Sequence, residues 1–209
     1  IGLELGTVYA ALGSKVNVVE MTDGLLPGAD DDLVTVLTQR MEKIFQKIYL
    51  STKVMGLREA KDGITVTLQS KDAKETKETY DRVLVSIGRK PNSSGLGLNN
   101  TKVQVNARGF VEIDPQRRTN DPEAIAGHNT AFEPAAIPAV VFTDPEVAWA
   151  GITERQAKKE GRTVHVARFP WAASGRATTL NRQDGLTKFI TDPESGMVLG
   201  IGIVGPGAG

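Results

Sequence analysis

Two glycines in a helical segment and an acid after the next strand form the residue pattern in this sequence best suited to chemistry. Gly2 and Gly6 lie where a helix is predicted, and Glu20 follows Gly2 by 18 residues, at the end of the apolar run 15–20. Glycines at such a turn let backbone N–H groups approach a pyrophosphate, and an acid about 20 residues further on can accept ribose hydroxyls. The spacing predicts a dinucleotide site. Tight helix–strand packing at Gly2 and Gly6 with a solvated Glu20 explains this segment, taken alone, equally well.

Glu20 also bears on which dinucleotide would bind. A carboxylate at this position accepts both ribose hydroxyls of NAD and repels the additional phosphate of NADP. Residues 21–26 contain no arginine that could receive that phosphate. The sequence therefore favours NAD over NADP.

A second candidate loop, residues 86–89, follows the apolar run 82–87, which predicts a buried strand. The loop consists of Ser86, Ile87, Gly88 and Arg89. Open α/β sheets bind ligands where such strands end, and Gly88 would let the backbone come close to a nicotinamide ribose. A turn glycine followed by a surface arginine is an equally good interpretation of this segment alone.

Composition excludes several other chemistries. The chain has no cysteine, so disulfides, thiolate metal sites and thiol nucleophiles are excluded within these residues. His128 and His165 are too few for a histidine-rich metal site. The 25 basic and 25 acidic residues give no net charge, which argues against a nucleic-acid surface. No apolar run approaches the length of a membrane span, and no secretory leader is predicted.

The elements that must position Gly2, Gly6 and Glu20 alternate between helix and strand. Gly13 is predicted to end the first helix, and residues 15–20 to form a short buried strand. Residues 30–32 are acidic and are predicted to begin a long helix. Its apolar stripe contains Leu33, Val36, Leu37, Met41, Ile44, Phe45 and Ile48.

The middle of the chain predicts a hairpin from residues 53–60 and 64–68, joined by a turn at 61–63. The charged stretch 71–78 predicts a solvated turn, with a partner-binding surface as the alternative. Residues 110–113 predict another short strand.

The pattern changes after residue 134. A short capped helix is predicted over 153–161, and residues 164–169, 187–191 and 198–204 predict an antiparallel sheet. The fold class is therefore α/β: a Rossmann-like domain over 1–133 that lacks its first strand, followed by part of an α+β antiparallel-sheet domain over 134–209.

Six segments carry a family resemblance. They are residues 1–6 (Ile-Gly-Leu-Glu-Leu-Gly), 18–20 (Val-Val-Glu), 81–89 (Asp-Arg-Val-Leu-Val-Ser-Ile-Gly-Arg) with Pro91 and Asn92, 118–120 (Arg-Thr-Asn), 142–149 (Phe-Thr-Asp-Pro-Glu-Val-Ala-Trp) and 169–176 (Phe-Pro-Trp-Ala-Ala-Ser-Gly-Arg). In this order they resemble the dihydrolipoyl dehydrogenases of the pyridine nucleotide-disulfide oxidoreductase family. The last two segments distinguish these enzymes from the glutathione and mercuric reductases.

The resemblance implies a homodimeric flavoprotein with FAD, NAD and interface domains, serving 2-oxo acid dehydrogenase complexes. Electrons would pass from dihydrolipoamide to a redox-active disulfide, then to FAD, and then as hydride to NAD. The compartment would be the bacterial cytoplasm or the mitochondrial matrix.

Site residues also follow from the resemblance. Ile1 and Gly2 would end the nucleotide fingerprint, and Glu20 would bind the ribose. Glu4 would approach the nicotinamide end, with an ordinary helix-surface position as the alternative. Val54 would contact the adenine side, with a hairpin-core position as the alternative. The loop 86–89 would line the nucleotide.

The chain also departs from the family pattern. The cysteine pair and the FAD-binding region would precede Ile1, and the catalytic His-Glu pair would follow Gly209; neither His128 nor His165 matches that histidine. Around Glu123 and Ala124 the sequence skips the family's acidic flavin-binding segment, and residues near 110–130 resemble a remnant of the return to the FAD domain. We therefore expect no catalytic residues in this chain. A non-catalytic nucleotide-binding or dimerising fragment is the alternative function.

Loss of the first strand and of the flavin-facing segment would leave sheet edges and apolar surface without cover. The 209-residue chain by itself is therefore predicted to be poorly soluble or partly molten. A sharp, cooperative thermal transition of the purified monomer, followed by circular dichroism, would contradict this expectation.

Overall fold

The long helix predicted from the apolar stripe is present, but it is shorter than the stripe. In the computed structural model, which describes residues 1–114, 117–121 and 134–209, helix α2 spans Asp31–Ile44 and buries Leu33, Leu37 and Met41. Phe45 adopts an extended conformation that ends the helix, and the amide of Gln46 donates to the carbonyl of Val16. Ile48 therefore belongs to a strand, and its assignment to the helical stripe was wrong.

The strand that precedes Glu20 belongs to a short parallel pair of strands. Helix α1 (Gly2–Ala11) is followed by β1 (Asn17–Val19), which pairs in parallel with β2 (Lys47–Tyr49). Gly13 has a φ of +93° just after α1, as predicted for a glycine at a helix C-terminus. Strand β1 is half-buried rather than buried.

The predicted hairpin is confirmed and has a third strand. Strands β3 (Lys53–Ala60), β4 (Gly63–Gln69) and β5 (Glu75–Tyr80) form an antiparallel sheet in that order. The solvated turn predicted for residues 71–78 was wrong for its second half, because β5 begins at Glu75. An edge strand tolerates charged side chains on its solvent face, so charge alone does not indicate a turn.

The antiparallel sheet predicted after residue 134 is confirmed and is larger than expected. Its strands are β6 (Ala139–Val141), β7 (Glu146–Gly151), β8 (His165–Pro170), β9 (Leu186–Thr191) and β10 (Val198–Gly205), in the order β6-β7-β10-β9-β8. The short helices are α3 (Glu154–Lys159), capped by Thr153 as predicted, and α4 (Gly175–Thr179). Strands β6 and β7 were not predicted.

The core lies between α2 and the five-stranded sheet. Leu33 and Leu37 pack in one buried cluster with Val147 of β7 and Val204 of β10. Gly202 permits this approach, because a Cβ there would lie 2.5 Å from the Leu33 side chain. Helix α2, which follows Glu20 in the chain, is therefore packed against the five-stranded sheet.

The chain divides into two units, residues 1–85 with 136–209 and residues 86–135. The second unit contains a 3-10 turn at Leu98–Asn100 and an isolated bridge between Val105 and Val111. Throughout the described ranges, no helix is long and apolar enough to cross a membrane.

Two strand predictions near or within the second unit were wrong. Residues 82–87 form no strand, and Ile87 and Val85 are 95% and 59% exposed. Residues 110–113 make only the single bridge at Val111. An apolar run becomes a buried strand only where a neighbouring strand completes its hydrogen-bond ladder, and no described segment does so here.

Candidate functional site

Glu20 directly follows β1, at the carboxyl end of the parallel pair. Its amide donates to the carbonyl of Tyr49 over 2.8 Å, and its own carbonyl accepts from the amide of Thr52 over 3.0 Å. These bonds fix the Glu20 backbone to the segment that follows β2. The carboxyl end of a parallel sheet is where α/β folds bind their ligands.

The Glu20 carboxylate is held at one oxygen and available at the other. Its Oε1 accepts from the Thr22 amide and from the Thr22 hydroxyl, each over 2.9 Å. Among the described residues, no donor reaches Oε2. A half-buried carboxylate oriented through one oxygen fits the recognition of ribose hydroxyls by the other.

The glycines of α1 have distinct environments. Gly2 is half-buried at the first turn, and Ile1 before it is 66% exposed. Gly6 is buried, and a Cβ there would lie 3.2 Å from Phe45 Cζ. The structure therefore supports close packing as the role of Gly6. This is compatible with a nucleotide at the helix start, because the resemblance places the last fingerprint glycine at Gly2 and not at Gly6.

Glu4 ties the first turn of α1 to the segment before β7. One carboxylate oxygen accepts from the amide of Phe142 over 3.0 Å. This hydrogen bond is the main cause that lowers the pKa of Glu4. Glu4 is therefore more than a solvated helix-surface residue.

The other predicted cofactor residues are exposed. Val54, on the edge strand β3, is 49% exposed and is not a core residue. Ser86, Ile87, Gly88 and Arg89 are all exposed. Gly88 has a φ of +136°, which only glycine adopts readily, as expected of a turn glycine. These four residues belong to the second unit, whereas Glu20, Glu4 and Gly2 belong to the first.

Of the two histidines, only His165 lies among the described residues. His165 is exposed on the edge strand β8. His128 lies outside the described residues, as do Glu123 and Ala124, where this sequence is predicted to skip a segment of the family.

A buried lysine that the sequence did not single out joins α2 to the five-stranded sheet. Lys188 of β9 is 1% exposed, and its ammonium group lies 2.8 Å from Asp30, 3.0 Å from Asp32 and 2.7 Å from Glu154. Burial opposes the charged lysine, but these hydrogen bonds prevail and raise the pKa of Lys188.

The acids around Lys188 have further partners. Asp30 accepts from the amides of Glu154 and Arg155 at the start of α3, over 3.0 and 3.1 Å. Arg168 pairs with Asp32 over 2.7 Å and with Glu154 over 2.5 Å. Burial favours the neutral form of Asp32, but hydrogen bonds from Arg168 and Lys188 outweigh this and lower its pKa. This cluster, the Lys188 network, connects the helix after the Glu20 loop to α3 and the sheet.

A second group of polar side chains fixes the three-stranded sheet to β1 and β2. The Glu78 carboxylate accepts from the hydroxyls of Tyr49 and Tyr80, and the Tyr80 hydroxyl accepts from the Asn17 side chain over 3.1 Å. Burial is the main cause that raises the pKa of Tyr80 to about 12. Glu78 lies in the charged stretch that the sequence predicted to be solvated.

Comparison with protein families gives two matches that together cover most of the chain. Residues 1–127 match the model described as pyridine nucleotide-disulphide oxidoreductase. Residues 137–209 match the model described as its dimerisation domain.

Similar curated proteins are dihydrolipoyl dehydrogenases. The Haemophilus influenzae protein is 44% identical over all of this chain and 49% of its own length, and the Haloferax volcanii protein is 38% identical over all of this chain and 50% of its own length. The chain thus spans about half the length of the curated relatives it matches. Both alignments extend over 235 residues, more than the 209 of this chain, so the relatives have internal residues that it lacks.

Solved structures show the same fold. LpdA from Mycobacterium tuberculosis superposes with a TM-score of 0.82 at 23% identity, over 99% of this chain and 50% of that one. The HOCl-induced flavoprotein disulfide reductase RclA from Escherichia coli gives a TM-score of 0.81 at 23% identity, over 99% and 53%. On the family match to residues 1–127, this chain belongs to the pyridine nucleotide-disulphide oxidoreductase family, whose members use FAD and NAD(P).

Proposed function

We propose that this chain is the NAD-binding part, with part of the dimer interface, of a dihydrolipoyl dehydrogenase. The observation that carries the proposal is the Glu20 carboxylate, which is fixed at the end of β1 through one oxygen, while no donor among the described residues reaches the other. The names of the similar curated proteins supply the activity, and the match of residues 137–209 supports assembly with a second copy.

The nucleotide would lie across the start of α1 and the end of β1. Gly2 presents the first amide of α1, directly after Ile1, and the helix dipole favours a pyrophosphate at this end. Glu20 binds the adenosine ribose and repels the phosphate that distinguishes NADP. Glu4 would lie toward the nicotinamide end and Val54 on the adenine side. The loop 86–89 belongs to the second unit, and its contact with the nucleotide stays a prediction from the resemblance. When bound, NAD would be the hydride acceptor.

The remaining chemistry requires residues that this chain does not contain. Oxidation of the dihydrolipoamide dithiol by disulfide exchange needs a thiolate, and the chain has no cysteine. We assign no FAD contact and no catalytic role to the described residues. In the complete enzyme, electrons from dihydrolipoamide would reach NAD through a cysteine pair and FAD.

The domain assignment remains part of the proposal. Residues 1–133 form the nucleotide-binding domain, with a remnant of the FAD-domain return near 110–130, and residues 134–209 begin the interface domain. The partners would be a second copy, dihydrolipoamide and the components of a 2-oxo acid dehydrogenase complex. The compartment would be the cytoplasm.

A non-catalytic nucleotide-binding or dimerising fragment is the second candidate function. The absence of cysteine from the sequence favours it, because Glu20 could bind NADH without any redox chemistry. The two candidates differ in whether this chain functions within a complete oxidoreductase.

A chimera separates the two. This chain replaces the corresponding half of the Haemophilus influenzae protein, which keeps every segment that the chain lacks, and NADH-dependent reduction of lipoamide is measured. We expect activity with NADH and little with NADPH. A folded, flavin-bound chimera that binds NADH but does not reduce lipoamide would contradict the enzymatic proposal and leave the binding fragment. The 209-residue chain alone serves as the control and should show neither flavin absorbance nor activity.

A further inference from the structure

Thr22 has the position required to orient the ribose-binding acid. Its amide and its hydroxyl both lie 2.9 Å from Glu20 Oε1. We propose that Thr22 is a positioning residue that holds Glu20 in the orientation that selects NAD over NADP. The inference rests on the proposed function and adds a residue to the same site.

A hydrogen bond from outside its own loop fixes the Thr22 backbone. Its carbonyl accepts from the amide of Ser51 over 2.8 Å, in the connection between β2 and β3. The backbone of Glu20 is itself hydrogen-bonded to Tyr49, the last residue of β2, and to Thr52 in the connection. Thr22 and Glu20 are thus held by the same neighbouring segment, so their relative position is set before any ligand binds. Preorganised groups bind with a smaller ordering cost.

The Thr22 hydroxyl has a second acceptor. It lies 2.8 Å from the carbonyl of Gly24 and 2.9 Å from Glu20 Oε1, so a single hydroxyl hydrogen is shared between two acceptors. The hydroxyl therefore links the backbone of the loop at Gly24 to the carboxylate of Glu20. Both groups restrict the hydroxyl, and through it the direction in which Oε2 faces.

Loss of the Thr22 hydroxyl is expected to affect NADH binding and NADPH binding differently. A Glu20 side chain that can rotate loses part of its hydrogen bonding to the hydroxyls of NADH and also moves its charge away from the phosphate of NADPH. A loss of positioning therefore weakens NADH binding and leaves NADPH binding unchanged or improved. A general loss of structure would weaken both.

The test uses the chimera described above, because the isolated chain is expected to be poorly soluble. Within it, this chain carries Thr22→Val, which keeps the shape and the backbone amide but removes the hydroxyl, with Thr22→Ser as the matched control. Dissociation constants for NADH and NADPH are measured by fluorescence titration of the prereduced chimera, whose flavin can take up no further hydride, and urea midpoints confirm that each variant is folded. We expect Thr22→Val to bind NADH about tenfold more weakly, equal to about 1.4 kcal/mol, with NADPH affinity not reduced and Thr22→Ser close to the unmodified chain.

Three results would overturn the inference. Unchanged NADH affinity in Thr22→Val would show that the hydroxyl does not position Glu20. An equal loss for NADH and NADPH would indicate a purely structural role. Failure of the unmodified chain to bind NADH would overturn the proposed function itself, and this outcome is distinguishable because it appears before any substitution is made.

Discussion

Lys188→Met is expected to lower the free energy of unfolding of the first unit more than any other single substitution described above. Lys188 is 1% exposed and pairs with Asp30, Asp32 and Glu154. Removing one partner of a buried ion pair costs about 3–5 kcal/mol. Here Asp30 stays buried and keeps only the amides of Glu154 and Arg155, whereas Asp32 and Glu154 keep their pairs with Arg168. The Glu154 side chain is 42% exposed, so water can reach it, and we expect a value in the lower part of this range.

Urea unfolding of the chimera that carries this chain, followed by tryptophan fluorescence, measures this effect, since Trp149 and Trp171 both lie in the first unit. Lys158→Met is the matched control, because Lys158 is exposed in the last turn of α3. Its midpoint should stay close to that of the unmodified chain. A Lys188→Met midpoint that equals or exceeds that of the unmodified chain would show that the Lys188 network does not stabilise this fold.

Glu20→Ala is expected to weaken NADH binding by about 10- to 100-fold. A hydrogen bond to a charged group contributes about 1.5–3 kcal/mol, so the loss of one such bond from a ribose hydroxyl to the Glu20 carboxylate corresponds to this range. The same substitution removes the charge that repels the phosphate of NADPH, so the affinity for NADPH should rise.

The matched control is Glu42→Ala, which removes an exposed carboxylate from α2. NADH affinity should not change in that variant. If Glu20→Ala binds NADH as well as the unmodified chain does, Glu20 is not the ribose ligand, and the close-packing interpretation of the first glycines would account for the segment.

Periodicity was sufficient where a segment's own side chains determine its structure. The spacing of Leu33, Leu37 and Met41 predicted α2, and alternation predicted the hairpin of β3 and β4. The same reasoning missed β2, because Ile48 continues the helical spacing although Phe45 ends the helix. It also predicted a turn in place of β5, because Glu75 and Lys77 are charged.

Long-range contacts account for the remaining differences. Lys188 lies 158 residues from Asp30, and no local pattern indicates that the two meet. Residues 82–87 have the composition of a buried strand, but burial depends on neighbours that the segment itself does not specify. In the candidate site, the position of Glu20 after a strand was predictable. Its orientation by Thr22 was not, because that depends on the contact with Ser51.

The NADH titration of the chimera that carries the unmodified chain tests the central claim most directly. The claim is that these 209 residues carry a nucleotide site selective for NAD, with Glu20 at the ribose. Fluorescence titration with NADH and NADPH, in parallel and at the same salt concentration, measures it. We expect one NADH per chain and weaker binding of NADPH. Absence of NADH binding, or equal affinity for the two nucleotides, would contradict the claim.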